Sequence, residues 1–479
     1  MTDLPLFLEG AWVAGETSYQ HDDTYSGQFA ATVQVPGREQ VSSALRALAT
    51  AQAASRLTAH DRFRILARAS DGVRRRSAEF ADTIITDTGF TVTDAEREVS
   101  RAVETLRLCG EEANRLTGRM VPLEGAPGVS GRFGYTMRRP LGVVCAITPF
   151  NSPLNTVCHK VGPALAAGNA VLLKPAAETP LTAALLVRVL LEAGLPEDLI
   201  ALVQGEGADV GQWLLDDPTP AFYAFTGSTR VGEHIRRSVG LRRTQLELGS
   251  LASTIVCDDA DVAAAAALCV NAAFRKAGQV CTSVQRLYVQ RPVQDELVAA
   301  LGEQLRGRPA GDPRLPETFV GPLIRPAAAD RVSSWVGAAV ECGARVVSGG
   351  GRSGAVLEPT ILTDATTEMR VMREEVFGPV VVLRPFDDLD EAIAEANDTP
   401  YGLAAGVFTA SLGRALRAAE NLRVGTVHIN ETSSSRVDLM PFAGVKASGT
   451  GAEGPRYAVA EMTEERLVTI GAGPGDRSR

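Results

Sequence analysis

At 479 residues the chain is too long for one hydrophobic core, and its length predicts about three domains. Its 45% apolar and 22% charged residues are the balance of a soluble globular protein. The net charge of -9 is spread along the chain without a basic block, which argues against nucleic acid as a ligand. Any affinity for an anion must then come from a few local basic residues.

The N-terminus, MTDLPLFLEGAWV, lacks a basic region ahead of a long apolar run, and no stretch approaches the roughly 18 apolar residues of a membrane helix. Seven cysteines (109, 145, 158, 257, 269, 281 and 342) include no C-x-x-C pair, so neither a disulfide framework nor structural zinc is expected. A cytoplasmic, reduced protein without a membrane or metal partner is the simplest expectation.

From Ser42 to Gly118 the pattern is helical, and Arg119–Arg139 turns to glycine, proline and β-formers, predicting an extended excursion. An alternation then begins: strand Val143–Thr148, helix Leu154–Ala167 closed by Gly168-Asn169, strand Ala170–Leu173, helix Leu181–Ala193 and strand Ile200–Val203. It continues with helix Val210–Leu215, strand Ala221–Phe225, helix Val231–Val239 and strand Thr244–Leu248. Short apolar runs alternating with helices predict βαβ units, a parallel sheet, and a nucleotide crevice at the strand C-termini. A second α/β region runs from Gly249 to Gly449, with strands Ser283–Val289 and Val380–Arg384 and helix Ala327–Cys342. Glu464–Ile470 alternates as a lone strand, for which a neighbouring subunit could supply a sheet edge. A low-complexity tail, GAGPGDRSR, follows.

Four segments carry the chemistry: ITPFNSPLN (147–155), KPAAETP (174–180), FTGSTRVG (225–232) with LELGS (246–250), and GQVC (278–281). EEVFGP (374–379) and PFAGVKASG (441–449) support them. In this order and spacing the chain resembles the aldehyde dehydrogenase superfamily over nearly its whole length. The resemblance implies an α/β fold: a Rossmann-like NAD(P)-binding domain (1–120 and 141–248), a catalytic α/β domain (249–452), and an oligomerisation arm and tail (121–140 and 453–479). It also implies an NAD(P)-dependent oxidoreductase working on a small-molecule aldehyde, as a homodimer or homotetramer.

A carbonyl is a poor hydride donor, whereas thiolate attack makes a thiohemiacetal whose C–H can deliver hydride. The resemblance assigns that nucleophile to Cys281, and the other six cysteines are expected to be small buried hydrophobes. It assigns the general base that activates water on the thioester to Glu247, and the oxyanion donors to the Asn151 amide and the Cys281 N–H. Relatives that pass the acyl group to coenzyme A generally lack the glutamate, so the product should be the free acid. For the cofactor it implies Ile147, Thr148, Pro149 and Phe150, then Lys174 near the adenosine ribose, and Gly227-Ser228 facing the pyrophosphate ahead of Val231. Gly205, Phe225, Leu248, Gly249, Glu375 and Phe377 complete that surface. GEGADVG (205–211) is one residue too long for a dinucleotide fingerprint.

Two departures bear on specificity. The position that carries glutamate in NAD-preferring relatives is Ala177, with Glu178 next, so a 2′-phosphate is tolerable and the choice between NAD and NADP stays open. The residue before the nucleophile is Val280, where relatives acting on phosphorylated aldehydes often carry arginine. Basic candidates Arg107, His159, Arg275 and Arg436, with Thr282, point to a small anionic aldehyde bearing phosphonate, phosphate or carboxylate. Sparse aromatics disfavour an aromatic one. The alternatives are a neutral hydroxyaldehyde such as lactaldehyde, or a catalytically inactive structural protein on the same fold.

Overall fold

The computed structural model describes residues 3–127 and 131–471; residues 128–130 of the predicted arm and 472–479 of the low-complexity tail lie outside it. Two α/β units each surround a mainly parallel sheet. In the first, the strands run in the order Gly449–Thr450, Arg243–Glu247, Pro220–Thr226, Val143–Ile147, Ala170–Lys174, Ile200–Leu202, Leu6–Leu8 and Ala11–Val13. The five central strands are parallel, and all but Arg243–Glu247 read mainly as apolar runs because helices cover both faces. Of these five, Val143–Ile147 comes first in the chain and lies in the middle. Its successors build out to one side, then Pro220–Thr226 starts the other side. The strand order therefore reverses between Val143–Ile147 and Pro220–Thr226, and a ligand crevice opens at their C-terminal ends.

The predicted alternation holds to within one to three residues at most boundaries. Helix Asn155–Ala167 is closed by Gly168 at φ 88°, the left-handed position glycine fills without a Cβ clash. The Ser42–Gly118 stretch resolves into four helices, Arg38–Ala54, Ala59–Arg75, Ser77–Thr88 and Val92–Arg115. Val210–Leu215 is shorter as an α-helix than expected, because Gly207–Gly211 winds as a π-turn before Gln212–Asp216. The N-terminal strands were not legible as part of this sheet; Leu6–Leu8 pairs with Ile200–Leu202 across nearly two hundred residues of chain.

The second sheet runs Arg345–Ser348, Thr360–Thr363, Val380–Phe386, Arg286–Gln290, Ser253–Val256, Ala404–Phe408 and Thr426–Ile429. Gly449–Thr450 leaves this unit to pair with Arg243–Glu247, which ties the two units together beside Glu247. The C-terminal strand is not alone. Thr463–Ile470 pairs antiparallel with Phe133–Pro140 of its own chain over eight residues, from Thr463 opposite Pro140 to Ile470 opposite Phe133. Its partner is thus the predicted extended excursion, which periodicity could not match across more than three hundred residues of sequence. Among the described residues no helix is long and apolar enough to cross a membrane.

Candidate active site

A cavity of about 470 Å³ lies at the reversal of the first sheet, and Thr148–Ser152, Gly227, Ser228, Glu247, Gly249, Cys281, Glu375 and Phe377 line it. Asn151 follows the central strand by four residues, Glu247 ends Arg243–Glu247, and Cys281 lies five residues ahead of Arg286–Gln290.

The loop that presents Cys281 is strained. Lys276 and Ala277 both have φ 53° and Gly278 has φ 71°, three successive left-handed residues. Such conformations persist only where the surroundings over-determine them. Here Lys276 donates to Glu98 (2.6 Å) and to the Asn151 carbonyl (2.9 Å), and its backbone N–H to Asp94 (2.7 Å). Gly278 has no alternative, since a Cβ there would approach the Gly378 carbonyl to 2.1 Å. The Gln279 side chain accepts from the Ile324 N–H (2.9 Å), and the Gln279 carbonyl accepts from the Asn151 amide (2.8 Å). One Asn151 N–H is thereby used to fix the Cys281 loop and one is left for a ligand.

Burial pushes the Cys281 thiol up to about 12, with Glu375 adding to it. Burial likewise raises Glu247 well above the carboxylate range, with the negative Glu453 adding to it. Among the described residues neither Glu247 oxygen has a hydrogen-bond partner. An unpartnered buried carboxyl facing a cavity is free to exchange a proton with whatever enters.

The cofactor expectations divide into two groups. Thr148, Pro149, Phe150, Gly227, Ser228, Val231, Leu248, Gly249, Glu375 and Phe377 line the cavity together. Ser228 caps helix Thr229–Ser238, accepting from the Val231 N–H. Phe150 meets Phe377 edge to face at 5.9 Å. Burial raises Glu375 to about 7, against the Ser250 N–H that it accepts at 3.0 Å. Ile147, Lys174, Ala177, Gly205 and Phe225 lie in or next to the same strand ends but outside this cavity wall. Lys174 is buried, which lowers it to about 8, and its ammonium donates to the Pro175 carbonyl at 3.3 Å. Thr148 Oγ1 and Thr226 Oγ1, buried on the crevice, find no partner among the described residues. Unmet donors and acceptors at a strand-end crevice beside a capped helix N-terminus fit a dinucleotide.

The substrate expectations need two corrections. Arg107 does not reach the cavity; it pairs with Glu104 and Glu111 on its own helix face. His159 is sealed in the core with no exposure, its Nε2 on Asp438 at 2.9 Å and on Thr105 at 3.4 Å. Burial lowers its pKa, against the pull of Glu453 and Asp438. Arg275, Thr282 and Arg436 do line the cavity. Arg275 donates to Ser434 Oγ at 2.7 Å and stays cationic, although burial lowers it to about 10. Arg436 pairs with Glu453 at 2.7 Å and lies over the Phe442 ring at 4.0 Å.

Sequence reasoning missed Arg97, Arg101, Ser434 and the carboxylates behind them. Arg97 and Arg101 line the cavity from helix Val92–Arg115. Asp438 grips Arg101 through Nη2 (2.7 Å) and Nε (3.2 Å) while also accepting from Asn155 and His159. Among the described residues neither Arg97 nor Arg275 forms an ion pair. The Arg97, Arg101 spacing of four was the available signal, since like charges one turn apart repel unless an anion joins them. Of the six remaining cysteines five are buried and Cys342 is exposed, contrary to expectation, because it ends its helix at the surface.

The sequence matches the model of the aldehyde dehydrogenase family over residues 12–468. It is 44% identical to 3-sulfolactaldehyde dehydrogenase of Priestia aryabhattai over 467 residues, covering 97% of each chain. It is 37% identical to sulfoacetaldehyde dehydrogenase of Neptuniibacter caesariensis, covering 83% of this chain and 87% of that one. Among solved structures, the NADP-dependent glyceraldehyde-3-phosphate dehydrogenase of Bacillus halodurans C-125, complexed with NADP, superimposes with a TM-score of 0.96 at 34% identity. That alignment covers 98% of this chain and 100% of the other.

Proposed function

This chain belongs to the aldehyde dehydrogenase family and is an NAD(P)-dependent aldehyde oxidoreductase, and we propose that it oxidises a short aldehyde with an anionic tail to the free carboxylic acid. The observation that carries the reading is one cavity lined at once by Cys281, Asn151 and Glu247 and by four arginines. Two relatives are named for short aldehydes bearing a sulfonate, and we favour that tail here.

The Cys281 thiol gives up its proton through water in the cavity as the sulfur attacks the aldehyde carbon, and a thiohemiacetal forms. Its oxyanion takes the free Asn151 N–H and the Cys281 backbone N–H, donors aimed where charge develops. When bound, the oxidised nicotinamide ring supplies the acceptor for the hydride that converts this adduct to a thioester. Glu247 then takes a proton from water as it adds to the thioester carbon, and collapse releases the acid and restores the thiol. A base whose burial raises its pKa is the stronger for it once ionised. Arg97, Arg101 and Arg275, with Ser434, hold the tail; among the described residues Arg97 and Arg275 form no ion pair, which leaves their hydrogen-bonding faces to a ligand. Arg436, shared with Glu453, completes the basic wall.

The test is a panel of purified aldehydes (3-sulfolactaldehyde, sulfoacetaldehyde, phosphonoacetaldehyde, glyceraldehyde 3-phosphate, succinate semialdehyde and lactaldehyde) assayed with NAD and with NADP. The reading expects sulfonated substrates to give the highest kcat/KM. A neutral aldehyde turned over as well as the best anionic one would overturn it.

We propose, too, that the enzyme is a homo-oligomer assembled through the arm of residues 121–140 and the C-terminal strand. The reading is supported by the exposed outer edge of Thr463–Ile470, on which Leu467 and Ile470 are about half exposed. Light scattering on the purified enzyme tests it, and a monomer at micromolar concentration would contradict it.

A further inference from the structure

At the rim of the cofactor crevice an ion pair joins the two units: Glu178 Oε1 meets Arg325 Nη2 at 3.4 Å. Glu178 follows the second strand of the sheet, Ala170–Lys174, and lines the cavity. In dinucleotide folds an acidic residue beyond the second strand accepts the ribose hydroxyls of NAD and repels the 2′-phosphate of NADP. Glu206 and Glu178 are the acidic groups acting on the Lys174 ammonium, so the negative charge at this rim is not dispersed. Arg325 belongs to the other unit. It is 63% exposed, while Glu178 is only 29% exposed, so the arginine caps the carboxylate from the solvent side. Its approach is fixed from behind: the preceding Ile324 N–H is held by Gln279 of the nucleophile loop, and Pro326 begins helix Pro326–Glu341 directly after it.

We propose that Arg325 sets the cofactor choice by holding Glu178 away from the ribose site and cancelling its charge, so that the enzyme accepts NADP as well as NAD. The inference rests on the crevice being the dinucleotide site. Arg325 acts through Glu178, as a positioning residue, and the fragment of the ligand it governs is the adenosine 2′-phosphate.

Binding of NAD, NADP and 2′,5′-ADP to the full-length enzyme, followed by quenching of intrinsic fluorescence, tests this without turnover. The wild type should bind all three. Arg325→Gln should weaken NADP and 2′,5′-ADP at least tenfold and change NAD less than threefold. Adding Glu178→Gln to that variant should restore NADP to within threefold of the wild type. Equal changes for both dinucleotides, no change at all, or a double variant no tighter than the single one would overturn the proposal. Failure of the wild type to bind either dinucleotide would instead overturn the reading of the crevice.

Discussion

The three groups proposed to react and the arginines around them are held by opposite means. Asn151 and Glu247 stand at or just past strand ends and Cys281 in a tight loop a few residues ahead of one, so backbone geometry places them. The arginines project from a helix and from loops, and carboxylates on other segments steady two of them. Arg101 depends on Asp438, 337 residues away in sequence, and Arg436 on Glu453. The difference teaches that the chemistry of this site is a property of the fold, while its substrate preference is a property of side-chain pairing that can change without disturbing the fold.

Substitutions in the first region should have the largest effects. Cys281→Ala should remove dehydrogenase turnover by a factor of about 10⁴ or more, as loss of a nucleophile does elsewhere, measured as reduced cofactor formed under saturating aldehyde. Glu247→Gln should separate the two halves of the reaction: a burst of about one equivalent of reduced cofactor per site, then slow hydrolysis. A burst-free, fully active Glu247→Gln enzyme would remove the assigned role. Asn151→Ala should lower kcat by about 10²–10³.

In the second region the effect should follow the substrate's charge. Arg101→Gln or Arg275→Gln removes charged hydrogen bonds of about 1.5–3 kcal/mol each, so kcat/KM for an anionic aldehyde should fall about 10- to 150-fold. The value for lactaldehyde should hold. Asp438→Asn should mimic Arg101→Gln in part, since it frees the guanidinium.

The pH dependence has a defined sign. Cys281 and Glu247 both have raised values and both act deprotonated, so kcat/KM should climb from pH 6 into the alkaline range. A rate flat from pH 6 to 9 would argue that neither limits turnover. Stability runs on other groups. Burial opposes the charge on Glu453, but Lys160 and Arg436 hold it down to about 2. Its folded value is below the unfolded carboxylate value of about 4.3, so its contribution is present above pH 4.3 and is lost as pH falls towards 2. Thermal unfolding midpoints across that window check this. The smallest effect belongs to Arg107→Ala, which should change kcat/KM by less than about twofold, because that guanidinium is committed to exposed glutamates on its own helix.

The contrast between regions also explains what was legible. Short apolar runs, capped helices and motif order carry the first sheet and bring Cys281, Glu247 and Asn151 to one cavity, because each is encoded within a few residues. Arg107 lies off the cavity because of helix phase. Six residues beyond Arg101, at about 100° per residue, it is turned roughly 120° away from the cavity face. Arg97 and Arg101, one turn apart, share that face. His159 lies about one turn into a helix buried on every side, where Asp438 and Thr105 reach it. The C-terminal strand forms as its alternation implies, but its partner lies within the chain.

The most direct test of the account is the ratio of kcat/KM for 3-sulfolactaldehyde to that for lactaldehyde, in the wild type and in Arg275→Gln. The account predicts a wild-type ratio of about 100 or more, falling at least about tenfold in the variant through the sulfonated substrate alone. A ratio near one in the wild type, or one that Arg275→Gln leaves unchanged, would contradict it.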